Sequence, residues 1–326
     1  FYIENTPFAA IANERTFDAD YFNNETGVFG PDGITDASGA SYFNLANLRA
    51  VRDYLRQAQA DFLVLSASIG NIDVDNDGTP DLNPCNQAGV ANSAGSFAGI
   101  AFKTLAPCIT RAYINVAGAQ ALRSAEAGVF GERIRRGLAA VGVLPGTPDY
   151  ELFLTAGTTV MDSGDSANWA KAMANRIPVL HNEVQDDDTV PNSIPGSPLA
   201  GNAGLNRIMG LAYYDDDLMN PDGVSGVARF LPPAVHDSLF RPGIAPQVTV
   251  EMQRQMASFV ASGGTFVDVG DSSLLVPVMP MPVSGEAPSG KNEVGAKVPV
   301  KGPFLVPVET PDSKQGSTPV GVRQLD

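Results

Sequence analysis

Hydrophobic residues recur at intervals of three and four over residues 44–69, so that one face of this segment carries leucine, valine and phenylalanine. That spacing predicts an amphipathic helix. Similar patterns predict further elements: helices over 96–105, 132–141 and 252–262, and strands over 1–4, 87–92, 109–117 and 177–180. Strands that alternate with helices are typical of an α/β fold with a mostly parallel sheet and helices on both of its faces.

The two ends of the chain differ from this pattern. Residues 5–42 are polar and rich in glycine and asparagine, and residues 273–326 are rich in proline, glycine, valine and lysine. We interpret residues 1–272 as one globular domain and residues 273–326 as an extended tail without chemistry of its own. The chain begins at Phe1, inside a predicted strand and without a signal peptide, which favours a processed or truncated chain whose first strands are missing.

Composition narrows the class of protein. The 326 residues are 44% hydrophobic and 17% charged, which is typical of an ordered globular chain. The formal net charge of −15 argues against nucleic acid and against an anionic membrane surface as partners, because both would repel the protein. No apolar run approaches the roughly 20 residues that a membrane-spanning helix needs, so we predict no transmembrane segment.

Three short segments carry candidate catalytic chemistry. They are a small-residue turn around Ser93, an acidic turn around Asp187 and a loop around His236. A serine nucleophile, an acid and a histidine in this chain order are typical of α/β-hydrolases. The chain has only two histidines, the other being His181, so few imidazoles are available to accept the serine proton. We therefore predict that Ser93, Asp187 and His236 form a catalytic triad.

Each of these segments also has a simpler interpretation. Ser93 precedes a predicted helix and could act as its N-cap, and Ser96 is the next candidate nucleophile. The acidic turn could be merely solvated, and Asp188 is the alternative acid. His181 closes a predicted strand, where packing or capping is the expected role. If Ser93 is the nucleophile, the backbone N–H of Ala94 is the expected oxyanion donor.

An acidic loop at residues 73–81 precedes the strand that leads to the serine turn. Carboxylates stand at positions 1, 3, 5 and 9 of this loop and glycine at position 6, as at the start of a calcium-binding loop. The predicted Ca²⁺ ligands are Asp73, Asp75, Asp77, Asp81 and the carbonyl of Thr79. Position 12 is Pro84 instead of the usual glutamate, so a solvated acidic loop is the alternative.

Two cysteines, Cys85 and Cys108, lie on either side of the serine turn. They are either two unrelated buried thiols or one disulfide that closes a short loop around Ser93. A disulfide would suit an exported enzyme and would contribute about 3 kcal/mol of stability through loop entropy.

Short motifs occur in a fixed order along most of the chain. They are ERTFD at 14–18, GPDG at 30–33, FNL at 43–45, RD at 52–53, LRQ at 55–57, DGTPDL at 77–82, PN at 191–192, PLAG at 198–201 and EMQ at 251–253. Together they resemble the extracellular lipase and esterase family of Gram-negative bacteria over about residues 3–272. The resemblance implies an α/β-hydrolase fold, hydrolysis of carboxylic esters and export, with Ser93 as nucleophile, Asp187 as acid and His236 as general base.

Two motifs depart from that family. Its usual nucleophile turn reads Gly-His-Ser-Leu-Gly-Gly, where this chain has Ala-Asn-Ser-Ala-Gly-Ser at 91–96. Its first loop contains His-Gly, which supplies an oxyanion donor, where this chain has Phe8, Ala9 and Ala10. The expected second donor is therefore the backbone N–H of Phe8 or Ala9, and a missing donor would cost about 3 kcal/mol of transition-state stabilisation.

The sequence thus predicts a secreted serine esterase or lipase, located outside the cell or in the cell envelope, that acts on a small-molecule or lipid ester. The alternative is a hydrolase-fold protein that has lost catalysis and serves as a calcium-stabilised surface or binding protein. The altered turn and first loop favour this alternative, whereas the ordered Ser93, Asp187 and His236 favour the enzyme.

Overall fold

A four-stranded parallel sheet lies at the centre of the computed structural model, which describes Asp20, Asn23 and residues 30–35 and 47–278. Its strands are β1 Gln87–Asn92, β2 Ile109–Asn115, β3 Val179–Val184 and β5 Gly226–Phe230; the short strands β4 Leu218–Met219 and β6 Phe266–Val267 form a separate antiparallel pair. The α-helices of this described part are α1 Leu48–Ser68, α2 Ala94–Leu105, α3 Ala121–Ala127, α4 Gly131–Ala139, α5 Pro148–Met161, α6 Ala170–Arg176, α7 Gly201–Met209 and α8 Pro246–Ala261. Short 3₁₀ helices span Ile69–Asn71, Asp162–Gly164, Ser166–Asn168 and Ser272–Leu274.

The strand order in the sheet is β1-β2-β3-β5, and each pairing is parallel. All four strands therefore end at the same edge of the sheet. The register aligns Asn92, Asn115 and Asn182 side by side at this edge. The Asn115 side-chain amide donates to Asn92 Oδ1 at 2.6 Å, which links the ends of β1 and β2.

Hydrophobic cores lie on both faces of the sheet, because alternate residues of each strand point in opposite directions. On one face, Tyr113 and Leu180 pack with α8. On the other face, Ile114 and Val179 pack with α2, α6 and α7. The predicted α/β fold with a mostly parallel sheet is confirmed, and helices cover both faces.

A third core joins α1 to the helices that follow β2. Val51 and Leu55 of α1 pack with Leu122 of α3 and with Leu154 and Met161 of α5. These residues come from three distant parts of the sequence, and together they enclose the space beside the carboxyl end of β1.

Several elements differ from the sequence prediction. The strand predicted over 177–180 is β3, which extends to Val184 through the polar residues His181, Asn182 and Glu183. β5 was not predicted, nor were α3, α5, α6 and α7. α7 contains two glycines and two asparagines among nine residues, so its local helix propensity is low and its packing decides its structure.

Only the first residues of the predicted tail, 273–278, belong to the described part of the chain. They pack along β5: Leu275 is fully buried and forms an antiparallel bridge with Phe230. The Val276 N–H donates to the Arg229 carbonyl at 2.8 Å. The predicted strand at 1–4 lies outside the described residues, as does the rest of the tail. Across the described segments, none of the helices combines the length and the apolar character needed to cross a membrane.

Lys103 of α2 is a buried cation. Only 2% of the residue is exposed, and its side chain runs past Gly89 and Gly99, which leave room because they lack a Cβ. Burial away from water disfavours the charged form and lowers the pKa of Lys103 to about 7. In the unfolded chain the amine keeps its proton up to its ordinary pKa of 10.5. Between these two values the unfolded state binds more protons, so stability must rise with pH in this window.

We expect Lys103→Met to raise the free energy of unfolding below pH 7, by up to about 5 kcal/mol, because the buried charge is removed. The advantage over the wild type should shrink as the pH rises towards 10.5, where the amine is neutral in both states. Urea unfolding at a series of pH values measures this. Lys171→Met, at an exposed position of α6, is the matched control and should show no such pH dependence. The same pH dependence in both variants would contradict a buried charge at Lys103.

Candidate active site

Ser93 occupies a strained turn between β1 and α2. Its backbone angles are φ 49° and ψ −121°, in a region that residues other than glycine rarely adopt. The Ser93 N–H donates to the Asn115 carbonyl at 2.9 Å, which anchors the turn to the end of β2. The side chain makes no capping hydrogen bond to α2, so the structure contradicts the interpretation of Ser93 as a side-chain helix cap.

Asp187 follows β3 and presents a buried carboxylate. Its side chain is 0% exposed. Its Oδ1 accepts the backbone N–H groups of Thr189 and Val190, each at 2.9 Å. Asp188 is exposed, and its Oδ1 accepts the hydroxyl of Thr189 at 3.0 Å. The acidic turn is therefore not uniformly solvated, and Asp187 is the member that points inward.

His236 lies in the loop after β5 and contacts both other residues. Its Nε2 is 2.6 Å from Ser93 Oγ, and its Nδ1 is 2.9 Å from Asp187 Oδ2 and 3.0 Å from Asp187 Oδ1. A carboxylate only accepts hydrogen bonds, so the fitting tautomer carries its proton on Nδ1, and Nε2 accepts the serine proton. The structure thus brings Ser93, Asp187 and His236 together in the order that proton transfer from the serine requires.

The histidine loop is held by a short polar network. The Val235 N–H donates to Ser238 Oγ at 2.9 Å. The Thr249 hydroxyl of α8 donates to the Ser238 carbonyl, and the Gln253 amide donates to the Leu239 carbonyl at 3.0 Å. The imidazole keeps 15% of its side chain exposed, so it is held in place and still reaches solvent.

The acid loop is fastened by the first turn of α7, which sequence reasoning missed. The Asn202 N–H donates to the Pro191 carbonyl at 3.1 Å, and the Ala203 N–H donates to the Asn192 carbonyl at 2.9 Å. The Asn202 side-chain amide donates to the carbonyl of Val190, the residue whose N–H holds Asp187. Asn202 follows Pro-Leu-Ala-Gly and has no feature in the sequence that sets it apart from a surface asparagine.

The predicted oxyanion donors are only partly described. Ala94 is the first residue of α2, where a backbone N–H has no acceptor within its own helix. Phe8 and Ala9 lie outside the described residues. Ser96, the alternative nucleophile, is fully buried, and among the described residues its hydroxyl has no hydrogen-bond partner. It therefore makes none of the contacts that Ser93 makes with the histidine.

His181 is buried in β3 and lies outside this constellation. Its Nδ1 donates to Asn206 Oδ1 at 2.6 Å, and its Nε2 accepts the Ala117 N–H at 3.2 Å. Burial lowers the pKa of His181, so the neutral ring is the favoured form. These contacts agree with a packing role for His181.

An apolar cavity of about 270 Å³ opens beside Ser93 and His236. Val51, Leu55, Leu122 and Met161 line its buried part. Phe97 and Phe130 line its partly exposed part, close to Ser93. No pattern in the sequence pointed to this cavity, because its walls come from α1, α2, α3 and the end of α5.

The acidic loop brings three of the five predicted metal ligands together. Oxygen atoms of Asp73, Asp75 and Asp81 all lie within 4.8 Å of one another. Asp77 is not part of this group; its Oδ1 accepts the Thr79 N–H at 2.7 Å instead. Three carboxylates at this separation fit a hard divalent cation, which oxygen ligands of this kind hold.

Cys85 and Cys108 form a disulfide. It joins the residues that precede β1 and β2, at the end of these strands opposite to Ser93. The alternative of two unrelated buried thiols is therefore wrong, and Cys85 is in fact exposed.

Comparison with known proteins adds no family assignment. No protein-family model matches the chain, and no curated protein matches it.

Proposed function

We propose that the protein is a serine carboxylic-ester hydrolase, an esterase or lipase, with an α/β-hydrolase fold. The observation that carries this proposal is the pair of contacts made by His236, at 2.6 Å to Ser93 Oγ and at 2.9 Å to Asp187 Oδ2. A structural serine has no need of a strained backbone, whereas a nucleophile on a strand-to-helix turn is held in such a conformation so that its hydroxyl faces the substrate.

The topology supports the same fold family. Ser93, Asp187 and His236 follow three different strands of one parallel sheet, in the chain order nucleophile, acid, histidine. That order and the strand–Ser–helix turn are the marks of an α/β-hydrolase. They agree with the resemblance to the extracellular lipase and esterase family of Gram-negative bacteria.

In the proposed reaction, Ser93 Oγ attacks the ester carbonyl carbon while its proton passes to His236 Nε2. Asp187 holds the imidazole in the productive tautomer and stabilises the imidazolium that forms. The negative oxygen of the tetrahedral intermediate lies on the Ala94 N–H. His236 then returns the proton to the leaving alkoxide, which departs as the alcohol, and a water activated by His236 hydrolyses the acyl-serine to the free acid.

An ester is the preferred substrate class because an alkoxide is a better leaving group than an amide nitrogen. The proposed second oxyanion donor is the backbone N–H of Phe8 or Ala9. A single such donor is worth about 3 kcal/mol of transition-state stabilisation. The replacement of the family's His-Gly in the first loop therefore affects the reaction rate more than the class of substrate.

Export to the extracellular space or cell envelope is part of the proposal. The disulfide between Cys85 and Cys108 supports it, because such bonds persist mainly in oxidising compartments. The competing proposal, a hydrolase-fold binding protein without catalysis, leaves the strained Ser93 and the aligned His236 without a role.

Replacement of the nucleophile provides the direct test. We expect Ser93→Ala to abolish hydrolysis of short-chain nitrophenyl esters and covalent labelling by a fluorophosphonate probe, because no other hydroxyl contacts His236 within the described residues. Ser96→Ala is the matched control and should keep both. Mass spectrometry of the labelled peptide identifies the modified residue. Wild-type protein that neither hydrolyses esters nor takes up the probe would favour the binding-protein alternative.

The acid is tested by a matched pair of neighbouring residues. We expect Asp187→Asn to lower kcat by about 10³- to 10⁴-fold, because the amide disturbs the tautomer of His236. Asp188→Asn should stay within about threefold of the wild type, because its exposed carboxylate hydrogen-bonds to Thr189 and, within the described part of the chain, not to His236. The reverse order of the two variants, measured by steady-state kinetics, would move the acid to Asp188.

We also propose that Ca²⁺ binds the acidic loop through Asp73, Asp75 and Asp81. The support is the convergence of their oxygens, with Gly78 at φ 88° providing the turn between them. Asp77 and the carbonyl of Thr79, the other ligands expected from the sequence, have no contact that adds to this support. The ion would be structural, because the loop lies at the opposite end of β1 from Ser93.

Thermal unfolding tests the calcium site. At a concentration 100 times its Kd, Ca²⁺ should stabilise the folded state by about 2.7 kcal/mol and raise Tm by roughly 5–10 °C. Asp75→Asn should remove this increase, whereas Asp222→Asn, in an exposed turn, should keep it. Equal melting curves with calcium and with a chelator would identify a solvated loop.

A further inference from the structure

The cavity beside Ser93 gives the proposed hydrolase a specific substrate class. We infer that it binds the acyl chain of the ester, and that this chain is a straight, saturated chain of medium length. The inference rests on the proposed function. Beyond that function, it states which part of the ester the cavity binds and which residues limit the length of the acyl chain.

The walls of the cavity select an apolar chain. Its buried part is formed by the aliphatic side chains of Val51, Leu55 and Leu122 and by Met161. Ser124 is the one buried polar side chain of the lining, and its hydroxyl is already engaged, since it donates to the Ala119 carbonyl at 2.7 Å and accepts the Gly201 N–H at 3.1 Å. Among the described residues of this buried part, a polar or charged acyl group would find no free partner, and it would lose its hydration.

The volume of the cavity sets the length of the acyl chain that it can hold. An apolar cavity of about 150 Å³ binds benzene, which has six carbons. By the same measure, a cavity of about 270 Å³ holds an acyl chain of roughly eight to ten carbons. A much longer chain that stayed wholly inside the cavity would have to displace Leu55 or Met161, which are 7% and 2% exposed and packed into the third core.

The position of the cavity indicates that it binds the acyl part of the ester and not the alcohol part. Ser93, Ala94 and Phe97 all line it from the start of α2. A carbonyl carbon bonded to Ser93 Oγ, with its oxygen on the Ala94 N–H, therefore directs its chain past Phe97 into the cavity. The His236 side chain is 15% exposed and Val235 beside it is 37% exposed, so an alcohol protonated by His236 can leave directly to solvent.

The preferred acyl-chain length can be tested with a series of nitrophenyl esters from acetate to palmitate. Each ester is used below its micellar concentration. For the wild type, kcat/KM should rise about fourfold for each added methylene up to roughly eight carbons and then fall. Leu55→Trp should lower the ratio of kcat/KM for the octanoate to kcat/KM for the acetate at least tenfold. Leu55→Ala, which enlarges the cavity, should move the optimum to longer chains. The matched control is Leu65→Trp, at a position of α1 that is 55% exposed, and it should leave the length profile unchanged.

A second pair of substrates separates the two sides of the ester. Methyl octanoate should be hydrolysed faster than octyl acetate, and Leu55→Trp should slow only methyl octanoate. An effect of Leu55→Trp on octyl acetate alone would assign the cavity to the alcohol and overturn the inference, as would a flat length profile in the wild type.

Binding to a catalytically inert variant keeps this inference distinct from the proposed function. Calorimetry with sodium octanoate and Ser93→Ala should show binding that the added Leu55→Trp substitution weakens at least tenfold, while acetate should not bind measurably. If the wild type hydrolysed no ester, the proposed reaction would fail, and octanoate binding would still support the cavity as a site for an apolar chain. Absence of octanoate binding to Ser93→Ala would overturn the cavity assignment itself.

Discussion

The parallel register of β1, β3 and β5 is the constraint on which the candidate site depends. Ser93 lies directly after β1, Asp187 in the turn after β3 and His236 in the loop after β5, so their meeting requires three strand ends at one edge. A shift of β3 by one residue would turn its side chains to the opposite faces and move Asp187 away from His236. The two cores prevent such a shift, because Leu180 must face α8 while Val179 must face α6 and α7.

The buried carboxylate of Asp187 needs hydrogen bonds, since an unpaired charge inside a protein is strongly unfavourable. His236 and two backbone N–H groups provide them, and α7 holds the loop that carries those groups. The loop comes this close because two glycines face it. A Cβ at Gly128 would lie 2.3 Å from the Thr189 carbonyl oxygen, and one at Gly201 would lie 2.1 Å from that of Pro191. The acid is thus positioned by residues far from it in the sequence.

The distance along the chain between contacting residues decides which features could be predicted from the sequence. Ser93, Asp187 and His236 each stand in a local pattern, and their order along the chain adds information, so the constellation is predictable without coordinates. The full extent of β3 is not predictable in this way, because His181, Asn182 and Glu183 end its apolar run before the strand ends. Glu183 is fully buried, and its carboxylate accepts hydrogen bonds from Arg229 of β5 at 2.6 Å, from Tyr213 at 2.9 Å and from Asn206 of α7 at 3.0 Å. No local pattern connects these residues with Glu183. The cavity is hidden for the same reason: its walls come from α1, α2, α3, the end of α5 and the loops that carry Val190 and His236.

The segment from β1 to the start of β2 combines two unfavourable features with one strong restraint. Ser93 holds a backbone conformation that costs about 1–3 kcal/mol, and Lys103 buries an amine whose pKa falls to about 7. The disulfide between Cys85 and Cys108 encloses both residues within a separation of 23 positions. By constraining the unfolded chain over this length it contributes about 3 kcal/mol, which is comparable to the strain at Ser93. The cross-link therefore offsets the strain at Ser93 in the stability of the whole domain, and it lies at the end of the strands opposite to Ser93, where it leaves the serine turn free.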